Sequence, residues 1–194
     1  MSRTMEFGRD TSESRVAGSL NLDGSGRADV ATGLGFLDHM LASMAKHARF
    51  DLELRAEGDI DVDDHHTAED CAIALGRCLD ELLGGRVGIR RFGFAYVPLD
   101  ESLCRAVVDL SGRPWPEVHI PFTRPVLGGV ATENLIHFFN SLAMEARMSL
   151  HIDVLRGENN HHIAESAFKA TGVALASAAE IVGAGVPSTK GSLR

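Results

Sequence analysis

The chain is written twice. Around position 65 it reads DDHHTAEDCAIALGRCLDELLGG and around position 161 it reads NNHHIAESAFKATGVALASAAEI, so His-His-x-x-Glu returns after 96 residues, followed each time by an Ala-rich helical run. The correspondence extends upstream. His39 in GFLDHMLASMAKH stands 26 residues before His65, His137 in NLIHFFNSLAMEA stands 24 before His161, and each segment leads through an arginine, Arg49 or Arg147, into an alternating run. A duplication on this period constrains the fold more than any local propensity, because what one half forms the other must form again. One domain over residues 1–194 is expected, made of two pseudo-equivalent halves of about 1–87 and 88–194.

Period two marks strands and period 3.6 marks helices. In the first half Val16, Leu20 and Leu22 fall at even spacing, the turn residues Asp23-Gly24-Ser25-Gly26 follow, and a short strand through Val30 comes next, which predicts a hairpin. An amphipathic helix near 36–47, the alternation Phe50, Leu52, Leu54 and a helix from about Thr67 to Leu83 complete a β-β-α-β-α order. In the second half strands are expected near 92–97, 104–110 and 118–122. A helix near 133–146, the alternating run Met148, Leu150, Ile152, Val154 and a helix over about 163–182 then repeat the pattern. The expected class is α+β, with internally duplicated β-β-α-β-α halves, each a sheet covered by helices on one face.

Composition narrows the function. With 44% hydrophobic and 24% charged residues the chain reads as a soluble globular protein. A net charge of −8 argues against nucleic acid as a partner, since such binding draws on basic patches. The most apolar long stretch, Thr171 to Val186, is broken by Glu180, Gly183 and Gly185, so no membrane span is expected. The opening MSRTMEFGRDTSESR carries charges throughout and has no apolar run of a signal peptide, and a cytoplasmic location is expected. Cys71, Cys78 and Cys104 are odd in number and form no Cys-x-x-Cys pair, which suits buried thiols in a reducing compartment rather than a disulfide framework or thiolate zinc site.

A lone histidine beside apolar residues is ordinarily core or surface. Helix phase tests that reading. The apolar stripe of the first helix runs through Leu37, Met40, Leu41 and Met44, with His39 on the opposite side; the stripe Leu135, Phe138, Phe139, Leu142 leaves His137 opposite in the same way. His65 and Glu69 are i and i+4 and share a helix face, as do His161 and Glu165, so each pair offers an imidazole nitrogen and a carboxylate to one cation. Adjacent residues diverge by about 100°, so His65 and His66 serve different ions, and so do His161 and His162. Two metal sites follow, with three histidines and one carboxylate for each ion and room for substrate or water on an octahedral metal. This donor mixture suits manganese, iron, zinc or nickel. No P-loop, dinucleotide, zincin or nucleophile-elbow signature occurs. Arg91, Arg113 and Lys190 sit in turn-like settings and, taken alone, read as solvated surface.

The segments GLGFLDHML, DDHHTAEDCAIALG, RRFG, PLDES, DLSGRPW, HFFNSLA, GENNHHIAESAFKA and PSTKG occur in one order, and over about Gly8 to Gly191 the chain resembles the imidazoleglycerol-phosphate dehydratase family. The resemblance implies a ribosomal protein S5 domain 2-like fold. It also implies a lyase of histidine biosynthesis, which dehydrates D-erythro-imidazole glycerol phosphate to imidazole acetol phosphate with two manganese ions (Mn2+) per active site. One ion is implied to be held by His39, His66, His161 and Glu165, the other by His65, Glu69, His137 and His162. In the family these ligands come from different subunits of a homo-oligomer, a 24-subunit shell of trimers, so that metal drives assembly. Glu13 and Glu165 are the implied acid/base residues, with Asp100 and Glu101 beside them, and Arg91, Arg113, Ser188, Thr189 and Lys190 are implied to hold the phosphate. Two departures stand out: Thr189 replaces the second Ser frequent in the family's C-terminal loop, and Ile136 precedes His137 where an acidic residue is common. Two other readings use the same donors. One is a two-metal hydrolase of a phosphorylated compound, and the other is a metal-joined shell without catalysis.

Overall fold

Alternation builds the strands, and in the computed structural model, which describes residues 3–193, it does so in the same order twice. The first half runs β1 (Thr4–Asp10), β2 (Ser14–Asn21), β3 (Ala28–Ala31), α1 (Gly35–Ala48), β4 (Asp51–Gly58) and α2 (His65–Leu83). The second runs β5 (Phe92–Leu99), β6 (Ser102–Asp109), β7 (Trp115–His119), a short hairpin of β8 (Val126–Leu127) and β9 (Val130–Ala131), α3 (Thr132–Glu145), β10 (Ser149–Arg156) and α4 (Asn160–Ala179). The two large sheets have matching orders, β1-β2-β4-β3 and β5-β6-β10-β7. The expected β-β-α-β-α succession is present as β2-β3-α1-β4-α2 and β6-β7-α3-β10-α4, each preceded by a further strand.

The hairpin expected between the strand at 16–22 and the one ending near Val30 does not form. β2 pairs with β1 and β4, while β3 pairs parallel with the far side of β4. The Asp51 carboxylate accepts from the backbone N–H groups of Ser25 and Arg27, which carries the chain across the end of β4 instead of back along β2. The parallel β3-β4 pair then needs a crossover, and α1 supplies it. The true hairpin is β1-β2 through Thr11–Glu13. The strand expected at 118–122 lies upstream, at β7.

The helices lie between the sheets. α2 packs on β1 and β2, α1 on β3, α4 on β5 and β6, and α3 on β7, while α1 meets α4 and α2 meets α3. Phe138, Phe139, Phe168, Leu37, Met40 and Leu41 are fully buried in the shared core. Arg49 and Arg147, at matching ends of α1 and α3, adopt left-handed φ values of 59° and 51°, so each helix turns at once into β4 or β10. Glycine sets how closely the helices approach. Gly172 of α4 faces the backbone of α1, where a Cβ would strike Met44 O, and Gly76, at the same repeat position of α2, lies where a Cβ would stand 2.9 Å from Leu142 O of α3.

Candidate metal centre

Those two helix contacts bring the motif residues together across the halves. His39 Nε2 of α1 lies 3.5 Å from Glu165 Oε2 of α4, and His161 Nε2 lies 3.2 Å from the same oxygen. In the mirrored place His137 Nε2 of α3 lies 2.8 Å from Glu69 Oε1 of α2, with the His65 ring stacked on His137 at 4.8 Å between centroids. Within each trio the three ligand atoms lie within 4.8 Å of one another. Two donors bound to one ion at about 2.2 Å stand at most about 4.4 Å apart, so each trio fits a single cation after closing by a few tenths of an ångström. Two imidazoles and one carboxylate with an open side match the donor chemistry of a borderline-to-hard divalent ion.

His66 and His162 join neither trio, as the divergence of neighbouring helix positions requires. Each is fixed in a different way. The His66 Nδ1 meets both Asp59 oxygens at 3.1 and 3.2 Å, with Glu13 Oε2 3.7 Å from its Nε2. The His162 Nδ1 meets Glu101 Oε2 at 2.7 Å, with Asp100 Oδ2 3.7 Å from its Nε2. Asp59 holds the His66 pKa above the ordinary imidazole value, and Glu101 does the same for His162. Glu101 in turn falls to about 2, because His162 and the backbone N–H groups of Asn159 and Glu158 favour its ionised form. Asp100 sits at φ 47°, a left-handed conformation that tolerates Asp and turns both carboxylates of the β5–β6 loop toward α4.

The surrounding polar groups lie beyond what the motifs reveal. Burial raises the Glu165 pKa, but the Lys169 ammonium 2.8 Å from Oε1, together with His39, outweighs it and the net shift is downward. The His65 Nδ1 meets Asn134 Oδ1 at 2.9 Å. Asp70, buried on α2, accepts from Arg9, Thr11 and Ser14 and so ties the turn carrying Glu13 to the helix carrying His65, His66 and Glu69. Phe36 lies edge-on to the His161 ring at 5.3 Å. Ile136 packs against the apolar core. Asn134 and Lys169 were recoverable from helix phase, lying three residues from His137 and four from Glu165 on the same helices, whereas Asp70, next to Glu69 but buried on another face of α2, was not.

Arg91, Arg113, Ser188, Thr189 and Lys190 come together around an open cavity of about 660 Å³. Arg91 is committed in part: its guanidinium meets Asp109 at 2.7 and 3.1 Å and donates to Pro187 O at 2.9 Å, which anchors the C-terminal loop. Arg3 repeats this arrangement in the first half with Asp23 and Ala179 O. The cysteines are buried, with their thiols pushed up to about 12 by burial.

The family profile described as imidazoleglycerol-phosphate dehydratase matches residues 32–175. A protein of that name from Phytophthora nicotianae is 53% identical over 192 residues, covering 98% of this chain; the chain spans 42% of that longer relative. One from Chlorobium luteolum is 51% identical over 185 residues, 95% of this chain and 92% of the relative. The solved imidazoleglycerol-phosphate dehydratase of Staphylococcus aureus superposes with a TM-score of 0.80 at 34% identity, covering 92% of this chain and 99% of that one. The corresponding structure from Pyrococcus furiosus gives 0.83 at 35% identity, covering 96% and 99%.

Proposed function

The chain belongs to the imidazoleglycerol-phosphate dehydratase family, the hydro-lyases of histidine biosynthesis, and on that premise we propose that it converts D-erythro-imidazole glycerol phosphate to imidazole acetol phosphate at a di-manganese site shared between subunits. The observation that carries the proposal is the pair of three-donor clusters, each built from both halves, with His66 and His162 of the same chain left outside both. His39, His161 and Glu165 with another copy's His66 complete one set, and His65, Glu69 and His137 with another copy's His162 complete the other. Residues 1–194 act as one domain of two pseudo-equivalent halves, assembled into a 24-subunit particle in the cytoplasm. Exposed Phe92, Phe94, Tyr96 and Trp115 on the outer face of the second sheet support self-association. Among the described residues no helix is long and apolar enough to cross a membrane.

When bound, manganese supplies Lewis-acid charge that favours the anionic form of the substrate imidazole. The chain's residues do the rest. Glu13 and Asp100, each 3.7 Å from the Nε2 of His66 or His162, are assigned to give or take the proton. Glu165 is kept ionised by Lys169, the form that holds a cation. A C–H proton passes to a carboxylate, the hydroxyl leaves as water with a proton from an acid partner, and the resulting enol tautomerises to the ketone. Arg113, Ser188, Thr189 and Lys190 hold the phosphate, with Arg91 bracing their loop.

The experiment is turnover of imidazole glycerol phosphate by chelator-stripped protein with and without added Mn2+, reading particle mass on the same samples. Activity and a large particle that appear together with metal support the proposal. A large particle without turnover rejects it in favour of a metal-joined shell or a hydrolase.

A further inference from the structure

We propose that Asp59 and Glu101 are positioning residues that set the tautomer and aim of the two histidines His66 and His162. The inference rests on the reading of those rings as ligands for ions held by another copy. A neutral imidazole carries one N–H, and whichever nitrogen donates leaves the other with the lone pair a metal needs. Both carboxylates meet Nδ1, so both rings leave Nε2 without its proton, on the side where Glu13 and Asp100 stand 3.7 Å away.

The two carboxylates do not come from equivalent places, and that is the stronger argument. Asp59 is the residue that follows β4, whereas the residue that follows β10 is Gly157, which has no side chain to offer. In the second half the acceptor comes from Glu101 in the β5–β6 turn. The matching turn of the first half supplies Glu13, which stands on the Nε2 side of its histidine. Simple copying of one half from the other would not give this arrangement. The same contact to the same ring nitrogen has been reached from two different loops, as expected where the contact itself is what matters. The side chain of Asp59 makes no other hydrogen bond among the described residues, and its loop is also held by backbone bonds to Glu13, Val62 and Asp63. Glu101 is itself held by the N–H groups of Glu158 and Asn159 at 3.2 and 2.8 Å, which fixes the acceptor before the histidine uses it. Acceptors of this kind raise ligand basicity and orient the ring.

The test uses the full chain stripped of metal and titrated with Mn2+, with free ion counted by its electron paramagnetic resonance signal and melting measured in chelator. Asp59→Asn and Glu101→Gln keep size but allow the ring to turn over its tautomer. Each should weaken one of the two Mn2+ sites about 10- to 100-fold and leave the other site in place, and Asp59→Asn, read at a pH well above the imidazole range, should leave metal-free melting unchanged. His66→Asn and His162→Asn are run beside them. If these lose one ion each while the carboxylate variants titrate like the parent, the positioning role is wrong and the shared-ligand reading stands. If none of the four changes Mn2+ binding, the shared-ligand reading falls. Equal weakening of both sites with a lower metal-free melting temperature also overturns the positioning role. Should Glu101→Gln alone fail to fold, Asp59→Asn decides.

Discussion

Replacing Gly172 by Ala adds one methyl group where α4 crosses α1, and two effects of opposite sign compete. Ala is favoured over Gly inside a helix by about 1 kcal/mol. Against this, the new Cβ would strike Met44 O and lie 3.2 Å from Ala48 N, backbone atoms that cannot rotate away. Relieving that contact requires the helices to part by roughly 1 Å. Over-packing of this kind costs about 1–3 kcal/mol, occasionally more. At a backbone-on-backbone crossing we place the effect at the upper end, for a net loss of about 1–2 kcal/mol. Gly76→Ala meets Glu145 Cβ at 2.8 Å and Leu142 O at 2.9 Å, so its loss is smaller. Gly35→Ala, with nothing within 4 Å, serves as the control that carries the helix-propensity gain without a clash. Urea unfolding of the metal-free chain gives the stability order Gly35→Ala, Gly76→Ala, Gly172→Ala, from most to least stable. The separation also draws His39 away from Glu165, so Mn2+ affinity falls with Gly172→Ala. A Gly172→Ala chain as stable as the parent, with unchanged Mn2+ binding, refutes the claim that this glycine sets the cluster.

Other outcomes follow from the same contacts. Asp70→Ala removes the shared acceptor of Arg9, Thr11 and Ser14 and destabilises the chain by about 3 kcal/mol, the lower end for breaking a buried ion pair, because Arg9 stays 26% exposed and recovers water. Urea midpoints measure it. Arg113→Ala raises KM for the phosphorylated substrate about 10- to 100-fold, as loss of a charged hydrogen bond of about 1.5–3 kcal/mol implies; steady-state kinetics read it. The raised pKa values of His66 and His162 mean that their imidazolium forms persist above the ordinary imidazole range, while metal needs the neutral ring. In the metal-free chain both rings therefore titrate above that range by NMR, and Mn2+ uptake weakens as pH falls through it. Titration of either ring below the ordinary value contradicts the assigned Asp59 and Glu101 contacts.

Much of this architecture was written in the duplication. The helix spans, the opposite-face placement of His39 and His137, and the separation of each adjacent histidine pair all follow from 3.6-residue phase, which local sequence carries. Strand partnership does not. β1 carries a weak signal because its inward face is Met5, Phe7 and a charged residue, Arg9, alternating with Thr4, Glu6 and Gly8. The β2–β3 hairpin was the natural reading of a Gly-rich turn, yet a contact from Asp51, 26 residues beyond Ser25, redirects the chain. The roles of Gly76 and Gly172 needed the partner helix to be seen, although their matching positions 11 residues after the first histidine of each pair carry the signal. The Asp59 and Glu101 contacts break the repeat and so could not be read from it.

Subunit complementation tests the central claim most directly. His39→Asn removes a ligand from the receiving trio, and His66→Asn removes the ligand given to another copy, so neither chain alone completes that ion's set. Mixed in chelator and reassembled with Mn2+, the two supply intact trios from the His66→Asn chains and intact donors from the His39→Asn chains. The account predicts that turnover of imidazole glycerol phosphate, lost in each variant, returns in the mixture. A mixture as inactive as its components, in particles of the parent's mass, would contradict a site shared between subunits.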